Sequence, residues 1–261
     1  MTKIFTKAPI FGLNILVVTI ISGGLISLSA NQAIAQNQKP KTLVELFTSQ
    51  GCNSCPPANA LLKKYIDRED VIALSLPVDY WDYLGWTDTF GKSQFSNRQR
   101  RYATKRGDGQ VYTPQIVANG VTHAVGSRAY AVEGAIRKSY ASVSRHQIPL
   151  DMKLDGNKLI VSATTPKTSP TEVPDTTASS PTLWLALTKK KVVTKVPRGE
   201  NRGTKITYYN VVKHLKPVGK WNGKSLTIKL PDNHTMNWKS DGCIVFLQDG
   251  KAGPIFGAAE L

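Results

Sequence analysis

Cys52 and Cys55, with only Asn53 and Ser54 between them, are the residues of this chain best placed to do chemistry. A pair at that spacing can close a disulfide across one helical turn. If one thiolate forms a mixed disulfide with a partner, the other can release it. The pair follows an apolar extended stretch and precedes Pro56-Pro57, residues suited to the first turn of a helix, where a missing backbone N–H is tolerated. A helix N-terminus offers unpaired amides and partial positive charge, which stabilise a thiolate. The expectation is that Cys52 attacks and Cys55 resolves, while the uncharged Asn53-Ser54 spacer leaves the potential open.

The elements that must hold this pair are legible around it. Thr42 to Phe47 reads as a strand buried on both faces, with Glu45 as its one charged residue. Leu61, Leu62, Tyr65 and Ile66 have helical spacing through Asp67, and Val71 to Val78 is a second apolar strand. Strand, helix and strand with short connections predict a right-handed crossover and a parallel pair. Trp81 to Arg106 begins aromatic and turns basic. Arg98, Arg100, Arg101, Lys105 and Arg106 alternate there with Phe95 and Tyr102, which predicts a helical insertion with a solvated basic face. Pro114 to Ala118, the Asn119-Gly120 turn and Val121 to Val125 predict a hairpin. Ser127 is a candidate cap for a helix carrying Tyr130, Ile136, Tyr140 and Val143.

Beyond Arg145 the pattern becomes all-β. A hairpin is expected from Leu150 to Thr164 around Asp155-Gly156-Asn157, with short strands at Leu183, Ile206, Leu226 and Ile244. The Pro-, Ser- and Thr-rich stretch from Thr164 to Thr182 reads as a loop.

Composition narrows the compartment and the partners. The 261 residues are 41% hydrophobic and carry a net charge of +16, with 15 prolines, which argues against a disordered chain or a coiled coil. Lys3 and Lys7 before an apolar run, then Ala33-Ile34-Ala35, read as a secretory signal cleaved near Ala35 and place the mature protein in the periplasm or outside the cell. Export argues against a nucleic-acid partner for the basic face and for weak contact with an anionic envelope surface. Cys243, in an apolar strand, reads as a small buried hydrophobe. His123, His146, His214 and His234 lack metal-ligand spacing to one another, and neither a metal site nor a cofactor is expected.

Two resemblances follow from these residues. A CxxC at a strand-to-helix junction and a later Thr113-Pro114 opening a strand resemble the thioredoxin superfamily. That likeness implies that Pro114 is a cis-proline facing the cysteines and that Thr113 pairs its backbone with substrate. It also implies a buried acid near the pair: Glu45, seven residues before Cys52, would take the proton of Cys55, although thioredoxins carry this acid one residue closer. More closely, Glu45 to Cys52, Cys55-Pro56-Pro57-Ala58, Val78 to Trp86, Arg98-Gln99-Arg100, Tyr112-Thr113-Pro114-Gln115, Arg198-Gly199-Glu200-Asn201 and Asn210-Val211-Val212 are similar to the secreted thioredoxin-like proteins called domain of unknown function 1223. Pro77 stands where that family would have His, so no role is carried over to it. Tyr80 and Trp81 are then candidates for an aromatic wall beside the cysteines that contacts substrate.

The combined expectation is an α/β protein: a signal peptide over 1–35, a thioredoxin-like domain with a helical insertion over 36–146, and a β-sandwich-like domain over 147–261. It would act as a thiol–disulfide oxidoreductase on an exported protein or small thiol. Two alternatives use the same residues: a Cu(I)-handling protein with Cys52, Cys55 and His123 as ligands, and a binding module whose disulfide is structural.

Overall fold

A strand with apolar residues at successive positions must be covered on both faces, and the computed structural model shows how this chain does so. It describes residues 1–2, 41–155, 158–164, 180–222, 226–230 and 241–261. The first strand, β1 (Thr42–Thr48), is buried along its whole length. It runs parallel to β2 (Val71–Pro77), in register from Thr42 opposite Val71 to Thr48 opposite Pro77, with α1 (Pro56–Ile66) as the crossover. Alternation divides its side chains between two layers. Val44 and Leu46 meet Ala58, Leu62 and Tyr65 of α1 on one face. Leu43 and Phe47 join Phe95 and Tyr102 of α2 (Ser93–Arg106) on the other.

On the far side of β1, β3 (Gln115–Ala118) pairs antiparallel with it and forms a hairpin with β4 (Thr122–Val125). Asn119 and Gly120 make that turn with φ of 45° and 72°, the left-handed geometry that favours the Asn-Gly sequence. The helix α3 (Ala129–Val143) then covers this edge. Ser127 does not cap it: Arg128 holds the cap position in extended geometry, with no side-chain bond to the helix.

The C-terminal half adds β5 (Leu150–Asp155), β6 (Lys158–Ala163), β7 (Thr182–Lys195), β8 (Lys205–Lys220), β9 (Leu226–Leu230), β10 (Gly242–Gln248) and β11 (Ile255–Glu260). The result is a mixed α/β protein with few helices and one large mixed sheet, ordered β11-β10-β7-β8-β2-β1-β3-β4. A second sheet, β5-β6-β9, lies beside it: Leu150, Leu159 and Val161 bury themselves against Leu185, Val245, Leu247 and Phe256. The large sheet crosses the boundary expected near residue 146. The join is narrow, a single ladder pair of Ser75 with Val211 reinforced by the Ser75 hydroxyl donating to the Tyr209 carbonyl at 2.8 Å.

Two expected features differ. Instead of short strands at Leu183 and Ile206, β7 and β8 form a hairpin of 14 and 16 residues. Lys189-Lys190-Lys191 does not interrupt it, because beyond Thr188 one strand face reaches water while backbone pairing continues to Lys195. The predicted basic face also loses a member: Arg98 is buried at 2% exposure. Apart from Met1 and Thr2, the signal expected over 1–35 lies outside the described residues, as do residues 165–179 of the predicted loop. Among the described residues no helix is long and apolar enough to cross a membrane.

Candidate functional site

The chain leaves β1 at Thr48 and turns through residues 49–55 into α1. Within this loop the Cys52 amide donates to the Ser49 carbonyl (3.3 Å) and the Cys55 amide to the Cys52 carbonyl (3.2 Å). Cys52 and Cys55 form a disulfide with their Cα atoms 5.5 Å apart. Both are buried, at 1% and 0% exposure, while Asn53 and Ser54 between them face solvent. The Ser54 hydroxyl lies 3.4 Å from Cys52 Sγ.

Two distant segments hold the loop. From the insertion after β2, Asp88 Oδ2 accepts from the Gln50 amide (2.7 Å), and its Oδ1 accepts from the amides of Phe90 and Gly91 (2.8 and 3.1 Å). Burial pushes the Asp88 carboxyl above the usual carboxylate range, against these donors. The Trp86 indole donates to Gln50 Oε1 at 2.8 Å. From the tip of the β7–β8 hairpin, Asn201 Nδ2 donates to the carbonyls of Gln50 (2.8 Å) and Cys52 (2.9 Å), and Glu200 Oε2 accepts from the Asn53 amide (3.2 Å). Gly199, at φ 76°, makes the turn that presents this pair.

A third segment approaches from the hairpin of β3 and β4. The Thr113–Pro114 peptide bond is cis. Trp81 links this segment to the cysteine loop: its indole donates to Thr113 Oγ1 at 2.8 Å, and a Cβ on Gly51 would stand 3.0 Å from Trp81 Cβ. Pro114 also lies beside the first turn of α1, since a Cβ on Gly126 would come within 3.3 Å of both Pro114 and Ala58. Behind Thr113, Gln99 Nε2 donates to the Tyr112 carbonyl (2.7 Å), and the Tyr112 hydroxyl meets His123 Nδ1 (2.8 Å). His123 Nε2 is 3.2 Å from Asp108, whose carboxyl Arg106 holds down at about 2. Burial pushes His123 below its usual value, with Arg106 adding to the effect and Asp108 opposing it.

The family model for proteins of unknown function DUF1223 matches residues 43–248. The chain belongs to this family. A solved structure of protein AGR_C_4864 from Agrobacterium tumefaciens is similar to this DUF1223 chain at 31% identity and a TM-score of 0.71, covering 86% of this chain and 95% of that one. HBP35 of Porphyromonas gingivalis is similar in fold, at 13% identity and a TM-score of 0.54 over 85% of this chain and 75% of that one. No curated protein matches the DUF1223 chain.

Of the residues singled out by sequence, Cys52, Cys55, Trp81, Thr113 and Pro114 gather at one end of the DUF1223 sheet. Tyr80 stands next to them with its hydroxyl on Gln99 Oε1 (3.1 Å), and burial pushes its pKa up to about 12. Glu45 is a correction. It points with Leu43 and Phe47 to the α2 face, whereas α1, which begins beside Cys55, covers the opposite face. There Arg98 Nε and Nη2 donate to its two oxygens at 2.7 and 3.1 Å, and the Tyr102 hydroxyl donates at 2.5 Å. A carboxylate spent on that pairing does not serve Cys55 as a proton acceptor. Cys243 on β10 is partly buried, and loss of water pushes its thiol up to about 12. Among the described residues no three His, Cys, Asp or Glu side chains cluster as a metal site. Sequence reasoning missed Asp88, Glu200 and Asn201 as holders of the cysteine loop. Arg198-Gly199-Glu200-Asn201, a glycine turn between charged and amide residues, was the one available signal, and it named no partner.

Proposed function

We propose that this protein is an exported thiol–disulfide oxidoreductase built on a thioredoxin-like domain. Cys52 exchanges with a sulfur of an exported protein or small thiol, Cys55 resolves the mixed disulfide, and the backbone at Thr113 guides the substrate. The carrying observation is the position of the Cys52–Cys55 bridge, at the end of β1 and the head of α1, with Trp81 joining it to the cis Thr113–Pro114 segment. The apolar run and Ala33-Ile34-Ala35 support the expectation of export to an oxidising compartment, where such a pair has disulfide partners. Because both sulfurs are buried, exchange requires the loop to open toward its exposed Asn53–Ser54 corner.

Turnover tests the proposal. With a dithiol as electron source, the full chain should catalyse reduction of a mixed-disulfide reporter peptide, and Cys52→Ser should abolish it while Cys243→Ser leaves it intact. Equal rates for the wild type and Cys52→Ser would overturn the assignment. The burial of both sulfurs favours a second reading, a closed structural staple. In that case the bridge would be reduced only when the fold is first unfolded, which alkylation of the native protein under dithiothreitol distinguishes.

A further inference from the structure

The surroundings of the bridge bear on the direction in which electrons move, and three features act on the same charge. An ordinary helix leaves its first four amides open. Here the first two positions of α1 are Pro56 and Pro57, which have no N–H, and the amides of Ala58 and Asn59 both donate to the Cys55 carbonyl at 3.0 and 3.1 Å. The helix tip therefore retains no first-turn amide to receive a thiolate, and the stabilisation expected from sequence is largely withdrawn. Among the described residues, the ionisable side chains bonded to the loop are acids: Glu200 on the Asn53 amide and Asp88 on the Gln50 amide. A carboxylate near sulfur disfavours a second negative charge there, and burial of both sulfurs penalises that charge again. Against these stands one neutral donor, the Ser54 hydroxyl at 3.4 Å from Cys52 Sγ.

Resting on the exchange reading above, we infer that the site favours the disulfide over the dithiol, so that the protein works as a reductant of substrate disulfides, with Glu200 as the residue that sets this bias. Cys52 gives up its proton and bonds to one substrate sulfur while the other substrate sulfur leaves and takes a proton. Cys55 gives up its proton in turn, bonds to Cys52 Sγ and releases the second substrate sulfur as a thiol. Two electrons pass to the substrate, and a dithiol donor restores Cys52 and Cys55. Glu200 is a positioning residue here: it touches the loop backbone and acts on the sulfur through its charge.

Equilibrium titration of the full chain against glutathione and against dithiothreitol, read by alkylation and mass spectrometry, tests the inference. The wild type should stay oxidised in equimolar glutathione buffers and equilibrate with dithiothreitol. Glu200→Gln keeps an oxygen acceptor for Asn53 but removes the charge. At a pH high enough to ionise reduced Cys52, it should shift the equilibrium toward the dithiol about threefold, roughly 15 mV for a two-electron couple, and lower the pH at which reduced Cys52 is alkylated. Pro57→Ala restores an amide at the helix tip and should shift the equilibrium the same way by about twofold. A bridge already half reduced in glutathione, or Glu200→Gln and Pro57→Ala both titrating with the wild type, would overturn the inference while leaving turnover, and so the exchange reading, standing. A folded protein that no dithiol reduces removes both.

Discussion

Glu45 and Glu200 are carboxylates of the same type that serve opposite purposes. Glu45 sits inside the central sheet, sealed from water and shared between Arg98 and Tyr102, with Trp184 and Phe246 stacking near the guanidinium at 5.6 and 5.2 Å. Glu200 sits at an exposed hairpin tip and accepts one backbone amide. The contrast teaches that the location of an acid in the sheet, more than its distance in sequence from a cysteine, decides whether it holds the fold or biases a sulfur. The inner acid is fully committed: burial alone would lower the Arg98 pKa, but Glu45 and Tyr102 leave it raised, and Tyr102 is held well above its ordinary value by burial.

The contrast can be broken at four points. The largest effect belongs to the core: Arg98→Ala removes the buried ion-pair partner of Glu45, and should cost about 3–5 kcal/mol in urea unfolding. Glu45→Leu combined with Arg98→Met should cost less than that single change. If Arg98→Ala behaves like a surface substitution, the two acids are not different in kind. Next is the bridge. The short loop closed by Cys52 and Cys55 limits the unfolded chain modestly, so Cys55→Ser should lower stability on the order of 2 kcal/mol by the chain-entropy account. A loss as large as that of Arg98→Ala would make the pair a structural staple. Third, Asn201→Ala removes two donors from the loop carbonyls. It should cost about 1–2 kcal/mol and speed hydrogen exchange at Gln50 to Asn53, with no change at Glu45.

The smallest effect is a pH response on the site side. His123 is held below its ordinary 6.5 by burial, so below that pH the unfolded chain binds a proton that the folded chain refuses. The contribution is present above the unfolded pKa and fades as pH falls toward the folded one. The slope of stability against pH in that window should flatten in His123→Gln. An unchanged slope would detach His123, and the Tyr112 contact before Thr113, from the pH response of the fold.

The sequence showed what local chemistry controls. The Cys52–Cys55 spacing, Pro56-Pro57 at the helix head and Asn119-Gly120 in its hairpin each act within a few residues, and each stands in the structure at the place read from the chain. The contacts that decide roles are long-range. Arg98 looked like one of a run of solvated cations, because nothing in α2 alone says that Glu45 lies 53 residues away on the strand beneath it. Glu200 and Asn201 belong to a hairpin whose tip can be aimed only once β8 joins β2 through Ser75 and Val211. Long-range pairing also defeated the reading of β7 and β8 as short strands, since their ladder with each other carries both past the lysine run.

The distance of Asn201 from Cys52, 149 residues along the chain, has a consequence for how the protein is made. Synthesis proceeds from the N-terminus, so both sulfurs emerge long before the hairpin that later clasps their loop exists. Until that clasp arrives the two sulfurs lack the contacts that later hold their loop, so the order of manufacture makes the enclosure of the pair a late event.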